Sequence, residues 1–141
     1  MSMQGNIDDI INYWIEKSKE SLESSRNEFR AGRLSFSVNR IYYSCFYIVC
    51  AILLKKGLKF KKHSGVRAAF HQHLVKPGLI TREQGLLYDE LFEARQRGDY
   101  IELINFEQTQ VEDWIVRTEG FISEIKTLII ESQIPPAKPE A

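Results

Sequence analysis

One segment of the chain is apolar on nearly every side when it is drawn as a helix. It reads SFSVNRIYYSCFYIVCAILLKK, residues 35–56, and polar side chains interrupt it only in places. A helix of this kind must lie at the centre of a fold or at an interface between copies, because its apolar sides must be shielded from water. The rest of the chain therefore has to supply the elements that cover this segment.

Glycines divide the first part of the chain into two predicted helices. Apolar residues at helical spacing extend from about residue 8 to residue 31, where Gly32 follows in the position of a C′ glycine. The apolar helix itself is predicted at about 36–56 and ends before Gly57. No segment alternates with the period of two that strands require, so the sequence indicates an all-α chain.

Three more helices are predicted in the second part of the chain. The third begins after Ser64, a residue type that caps helix N-termini, and ends before Pro77, which cannot continue a helix. Capping-type spacings open a fourth helix at Thr81 and a fifth at Asn105. The fifth helix is expected to end near Ser132.

Short connections between long amphipathic helices favour an antiparallel, up-and-down four-helix bundle with the third helix as an additional short piece. A chain of 141 residues is long enough for one hydrophobic core and not for two. We therefore expect a single helical domain over residues 1–132 and a disordered proline-rich tail over 133–141. Because the sequence shows no targeting segment and no long uninterrupted apolar run, we expect a cytoplasmic protein that does not enter a membrane.

The charges are segregated along the chain although the net charge is zero. Residues 31–82 contain ten lysines and arginines and no aspartate or glutamate. The densest part, KKGLKFKKHSGVR at 55–67, joins the second and third helices and has an aromatic residue among its cations. Three interpretations stay open: a solvated loop, a loop that contacts nucleic-acid phosphates, or a surface that faces acidic regions of a second copy.

A polar stripe runs along one side of the apolar helix. At about 100° per residue, one arginine and several hydroxyl groups fall within an arc of about 120°. We expect this arginine to be buried, and a buried arginine requires a negative partner, either a carboxylate of another helix or a phosphate. The stripe comprises Ser37, Arg40, Tyr43, Ser44 and Tyr47.

The segment LFEARQRGDY ends with closely spaced charged and aromatic residues. One interpretation is local: Arg95 and Arg97 complement the dipole at the end of the fourth helix, and Gly98 terminates that helix. Asp99 would then occupy a turn. The other interpretation is a binding site in which Asp99 is the counter-ion that holds an arginine in place.

Metal and cofactor sites are not indicated. The sequence has neither of the common glycine-rich loops that hold nucleotide phosphates. His71 and His73 are two positions apart on a helix and point in different directions, and Cys45 and Cys50 also face apart. We therefore predict no metal, no cofactor and no disulfide, and we expect both cysteines to be buried free thiols.

Three segments taken together resemble the HEPN superfamily (higher eukaryotes and prokaryotes nucleotide-binding domain), and in particular its small stand-alone prokaryotic members. The segments are NRIYYSCFYIVCAILLKKG, KKHSGV and LFEARQRGDY, in this order and spacing. The resemblance covers the five predicted helices and leaves out the tail. It implies an antiparallel helical bundle, a homodimer, and pairing with a minimal nucleotidyltransferase, frequently as toxin and antitoxin.

Active members of this superfamily are metal-independent ribonucleases with an arginine followed, four to six residues later, by a histidine. In such an enzyme the arginine stabilises the negative transition state and the histidine transfers protons. Arg95 matches the arginine, whereas Tyr100 stands at the histidine position and His73 is the last histidine of the sequence. A tyrosine with the ordinary pKa near 10 is a poor general base at neutral pH.

The sequence favours the first of three functions that experiments can separate. The first is a nucleotide- or RNA-binding partner of a nucleotidyltransferase. The second is an active endoribonuclease toxin that uses Arg95 with Tyr100 or His63, and the third is a structural dimer that binds nothing. The residues expected to organise or line the site are Arg40, Tyr43, Tyr47, His63, Arg95, Asp99 and Tyr100.

Overall fold

The computed structural model describes residues 3–100 and 105–131, and these ranges contain helices joined by short connections. The all-α prediction is confirmed. A single π-helical turn, His71–Val75, continues the third helix, and the predicted tail at 133–141 lies outside the described residues. The helices are α1 (Met3–Arg30), α2 (Leu34–Lys55), α3 (His63–Phe70), α4 (Arg82–Tyr100) and α5 (Gln108–Glu131).

The helix α2 is the central element, as its apolar sequence requires. Helices α1, α3, α4 and α5 all pack against it. By length and composition alone, Leu34–Lys55 would also suit a membrane span. Most of its apolar side chains are fully buried against the other helices, so its hydropathy is explained by its place in the core of the fold.

Buried serines hold α1 and α2 close together. The hydroxyl of Ser18 donates to the carbonyl oxygen of Ser44 at 2.7 Å, and the hydroxyl of Ser37 donates to the carbonyl oxygen of Ser25 at 2.8 Å. Residue numbers rise along α1 as they fall along α2, so the two helices are antiparallel. These small side chains allow close approach, and each buried hydroxyl has an acceptor.

The helices α4 and α5 are also antiparallel. The amide of Gln84 at the start of α4 donates to Glu124 near the end of α5, at 3.1 Å. Further along α4, the carboxylate of Glu90 accepts a hydrogen bond from Nε1 of Trp114 at 3.2 Å. The antiparallel arrangement predicted for the long helices is therefore present in both of these pairs.

The cap residues were predicted correctly at one helix and wrongly at two others. The backbone N–H of Gln84 donates to Oγ1 of Thr81, as the capping spacing indicated. Ser64, however, lies inside α3, which begins one residue earlier and has no side-chain cap at Lys62. Asn105 is not a cap either, because α5 begins only at Gln108.

Gly98 does not terminate α4, so the local interpretation, in which this glycine ends the helix, was wrong. The helix continues through Gly98 and ends at Tyr100. A Cβ at Gly98 would lie 3.1 Å from Cε2 of Phe106, so the close approach of this ring is what favours a glycine here. The continuation of the helix places Asp99 one turn after Arg95 and not in a separate loop.

We expect Ser18→Leu to lower the free energy of unfolding by about 1–3 kcal/mol, because a larger side chain has no room between α1 and α2. Urea denaturation followed by circular dichroism measures this change. Lys19→Leu is the matched control: Lys19 is exposed, and its replacement should change stability by no more than about 0.5 kcal/mol. A Ser18→Leu protein as stable as the wild type would show that this serine does not set the spacing of the two helices.

Candidate functional site

The ring of Tyr42 on α2 is fully buried where α2, α3 and α4 meet. From α3, the ring of His63 lies nearly parallel to it, with centroids 5.8 Å apart. From α4, the rings of Tyr88 and Phe92 lie at 6.0 and 5.9 Å. Sequence reasoning missed Tyr42 because the residues that reach it from α3 and α4 are distant in sequence, and only its place beside the polar stripe pointed towards it.

Arg95 places its guanidinium group over the rings of two adjacent tyrosines of α2. Its Cζ lies 4.8 Å from the ring centroid of Tyr42 and 5.7 Å from that of Tyr43. The side chain is 13% exposed, and its Nε is buried without a hydrogen-bond partner among the described residues. A cation held by ring faces keeps N–H donors available for another partner.

Asp99 pairs with Arg95 only loosely. Its Oδ2 lies 3.4 Å from Nη1 of Arg95, one helical turn further along α4, and its side chain is 35% exposed. A contact of this length and exposure contributes little to stability. The positive charge of Arg95 is therefore only partly compensated, which suits the binding of an anion such as a phosphate group.

His63 is the first residue of α3, and its ring lies among the aromatic side chains of α2. Its Nδ1 is 2.8 Å from the hydroxyl of Tyr42, and its ring centroid is 4.2 Å from that of Phe46. Burial lowers the pKa of His63 below its ordinary value of 6.5, and the positive charge of Arg95 lowers it further. The ring is therefore neutral at neutral pH and can accept a proton.

The hydroxyl of Tyr42 fixes one edge of the His63 ring. Burial raises the pKa of Tyr42 to about 12, although the Tyr88 hydroxyl and the charge of Arg95 both lower it. Tyr42 thus stays protonated at neutral pH and acts as a hydrogen-bond partner and not as a base. When Nδ1–H of His63 donates to this oxygen, Nε2 is the nitrogen that is free to take up a proton.

The structure brings four of the predicted site residues to this place. His63 and Arg95 lie against Tyr42, Tyr43 lies under Arg95, and Asp99 pairs with Arg95. Tyr47 follows one step away, its ring centroid 5.7 Å from that of Tyr43. The backbone of α4 extends to Tyr100, whose side chain is outside the described part of the structure.

Arg40 is exposed, and the expectation that it would be buried was wrong. The buried serines of α1 pack on the neighbouring side of α2, which leaves Arg40 at the edge of that interface. The pKa of Glu28 on α1 is lowered mainly by its hydrogen bond from Arg33 and also by the charge of Arg40. Arg40 therefore has a carboxylate of α1 in its surroundings.

The basic loop, residues 56–62, leads directly into the site. Lys59, Lys61 and Lys62 are exposed, and the residue that follows them is His63. Because His63 and Arg95 both lie against Tyr42, the basic loop ends, at Lys62, next to the residues that surround Tyr42. The segregation of basic residues along the sequence thus puts exposed cations in the segment that leads into His63.

Among residues 3–100 and 105–131, no group of three or more histidine, cysteine, aspartate and glutamate side chains is arranged to hold a metal ion. Cys45 and Cys50 are free thiols, the first buried and the second half-buried. Burial raises the pKa of each thiol to about 12, so neither is ionised at neutral pH.

The sequence matches the HEPN domain over residues 11–128. The chain belongs to the HEPN family. A UPF0332 protein of Thermotoga maritima is 48% identical over 85% of this chain and 91% of its own length. Two Methanocaldococcus jannaschii proteins are also similar: "Putative toxin MJ0142" is 35% identical over 85% of this chain and 82% of its own length, and "Putative toxin MJ0605" is 31% identical over 83% and 87%.

We expect the imidazole of His63 in this HEPN protein to titrate with a midpoint below 6.5, as measured by NMR. Arg95→Leu should raise the midpoint because it removes a positive charge, but not fully to 6.5, because burial is the larger cause and remains. Arg97→Leu, which replaces an exposed arginine, is the control and should leave the midpoint unchanged.

The lowered pKa of His63 also makes the free energy of unfolding depend on pH. Since the pKa of His63 is lower in the folded state, its contribution to stability is present above pH 6.5 and is lost as the pH falls through the window below that value. A wild-type midpoint at or above 6.5 would contradict the burial of the ring.

Proposed function

We propose that this HEPN protein binds single-stranded RNA and that Arg95 contacts a phosphate group of the strand. The observation that carries this proposal is the state of the Arg95 guanidinium, which is held by two tyrosine rings and is only loosely paired with Asp99. A guanidinium in this state offers a phosphate several charge-assisted hydrogen bonds.

The surroundings of Arg95 favour a single strand over a duplex. Tyr43 and Tyr47 are half-buried beside it, and aromatic side chains stack on the bases of unpaired RNA, whereas the bases of a duplex are stacked on one another. The exposed Lys59, Lys61 and Lys62 of the basic loop add a sequence-independent attraction for the backbone.

A toxin-like role belongs to the same proposal, and the names of the two similar Methanocaldococcus jannaschii proteins support it. Pairing with a minimal nucleotidyltransferase, a homodimeric state and a cytoplasmic location are further parts of the proposal. These parts of the proposal rest on what membership of the HEPN family implies.

A second candidate function, metal-independent cleavage of the bound RNA, is favoured by the position of His63. Its neutral ring and the Arg95 guanidinium lie against the same tyrosine. In this reaction, Nε2 of His63 takes the proton of a ribose 2′-hydroxyl, and the 2′-oxygen attacks the adjacent phosphorus. The bond to the 5′-oxygen breaks, water protonates this leaving group, and Arg95 stabilises the negative charge of the transition state.

We expect Arg95→Ala to weaken the binding of a fluorescently labelled single-stranded RNA by about 10- to 100-fold, because a hydrogen bond to a charged group is lost. Fluorescence anisotropy measures the dissociation constant. Arg97→Ala is the matched control, since it removes an exposed arginine of the same helix, and it should change the affinity by less than about threefold. Unchanged RNA affinity in Arg95→Ala, together with lower stability, would instead indicate a structural role.

We expect His63→Gln to abolish RNA cleavage in the presence of a metal chelator while RNA binding is retained, because glutamine cannot take up the proton. Gel analysis of the cleavage products measures the rate. His73→Gln is the control for the loss of a histidine and should cleave as the wild type does. Cleavage that persists in His63→Gln would exclude His63 as the base, and absence of cleavage by the wild type would leave RNA binding as the function.

A further inference from the structure

A cavity of about 110 Å³ lies between α1, α2 and the segment that joins α2 to α3. It does not include any residue of the Arg95 site. Most of the residues that line it are apolar, and two of them, Trp14 and Phe60, are aromatic. The residues that matter for its chemistry are Ile10, Trp14, Cys50, Leu54, Lys59 and Phe60.

The walls of this cavity suit a flat ring that carries a negative charge nearby. Trp14 and Phe60 provide aromatic surfaces, and the thiol of Cys50 stays neutral because burial raises its pKa to about 12. Lys59 is the charged residue among the lining side chains, and it is exposed. An apolar, aromatic interior with a cation at its border is the arrangement that receives a nucleobase while its phosphate stays in water.

A line of aromatic rings connects the cavity to Arg95. The ring of Trp14 stacks on that of Tyr47 with centroids 5.5 Å apart, and the ring of Tyr47 lies 5.7 Å from that of Tyr43. Cζ of Arg95 lies 5.7 Å from the centroid of Tyr43. The rings of Tyr47 and Tyr43 thus lie between Trp14, at the cavity, and Arg95, at the proposed phosphate site. Lys59 and Phe60 of the basic loop line the cavity.

We propose that this cavity receives one pyrimidine base of the RNA strand whose phosphate is bound at Arg95. The inference rests on the proposed RNA-binding function and names its substrate class: single strands that carry a pyrimidine a short distance from the bound phosphate. The size of the cavity selects the base. A dry protein cavity of about 150 Å³ holds one benzene molecule. This cavity of about 110 Å³ therefore has room for part of one six-membered ring, whose remaining edge stays at the mouth, and not for the fused rings of a purine.

The polar edge of the base faces the mouth of the cavity. A buried carbonyl or N–H group without a partner destabilises a complex, so these groups must remain near water or near Lys59. The apolar face of the ring then packs against Trp14 and Phe60. Phe60 is 40% exposed, and the entry of a base would cover part of this surface.

The test compares the binding of short oligouridine and oligoadenosine strands of equal length by fluorescence anisotropy. The wild type should bind oligouridine about tenfold more tightly, as expected for one well-stacked base. Cys50→Leu fills the cavity and should abolish this difference while the affinity for oligoadenosine stays unchanged. Cys50→Ser is the matched control, because it adds no volume, and it should keep the preference.

A second variant guards against a folding defect in Cys50→Leu. Phe60→Ala removes a partly exposed ring and should lower the affinity for oligouridine alone, by about tenfold. Circular dichroism of both variants confirms that they fold.

Each outcome distinguishes the base site from the phosphate site. Equal binding of both strands by the wild type, or a uridine preference that survives both Cys50→Leu and Phe60→Ala, would overturn the pyrimidine site and leave RNA binding at Arg95 intact. Failure of the wild type to bind either strand would overturn the RNA-binding function and the pyrimidine site together. Arg95→Ala should weaken the binding of both strands equally, which separates its role from that of the cavity.

Discussion

The burial of one aromatic ring, Tyr42, is the constraint on which both the fold and the candidate site depend. The ring lies on the central helix, where it is fully buried. His63 of α3 forms a hydrogen bond with its hydroxyl group, and the guanidinium of Arg95 on α4 lies over the face of the ring. These two residues are far apart in sequence, and they meet because both lie against Tyr42. The packing that joins α3 and α4 to α2 therefore also assembles the site.

The same burial sets the charges of the site. Removal from water disfavours ionised forms, so it raises the pKa of Tyr42 and lowers that of His63. Both side chains are neutral at neutral pH, and the guanidinium of Arg95 carries a positive charge. The result is one positive charge near a neutral proton acceptor, and such a pair can stabilise negative charge and accept a proton in the proposed reaction. Local packing thus sets the protonation states of Tyr42 and His63. Among the described residues, no group of three or more potential metal ligands is present.

The sequence contained enough local information to predict the helices and part of the site. Helical periodicity gave the five elements, the side chain of Thr81 caps α4, and the segment after Leu91 pointed to Arg95 with Asp99 as its counter-ion. These features depend on residues within one or two turns of one another. Local spacing was also sufficient to identify the apolar helix as the central element.

The features that could not be predicted depend on contacts between distant segments. Gly98 is a typical helix-terminating residue, yet the close approach of Phe106, and not the end of a helix, accounts for it. Arg40 follows the polar stripe of α2, but the position of α1 leaves it exposed. His63 belongs to the site only because α3 begins there and turns its ring towards Tyr42. Tertiary packing, which a periodic pattern does not contain, decides each of these cases.

Two arginines, Arg67 and Arg95, lie over aromatic rings of the same cluster, and they differ in how closely a carboxylate compensates their charge. Cζ of Arg67 lies 4.5 Å from the ring centroid of Phe92, and its Nε is 2.7 Å from an oxygen of Asp89. The same oxygen is 2.8 Å from Nε2 of His71. The charge of Arg67 is therefore already compensated at close range.

A phosphate that approached Arg67 would have to displace Asp89 and would leave that carboxylate without its closest cation. At Arg95 the corresponding contact, to Asp99, is 3.4 Å long and partly exposed. A phosphate could therefore form hydrogen bonds with the Arg95 guanidinium, and the weakened contact with Asp99 would cost little free energy. The two residues have the same chemistry and similar aromatic support. The distance to the competing carboxylate, and not the type of residue, is what favours Arg95 over Arg67 as the proposed anion site.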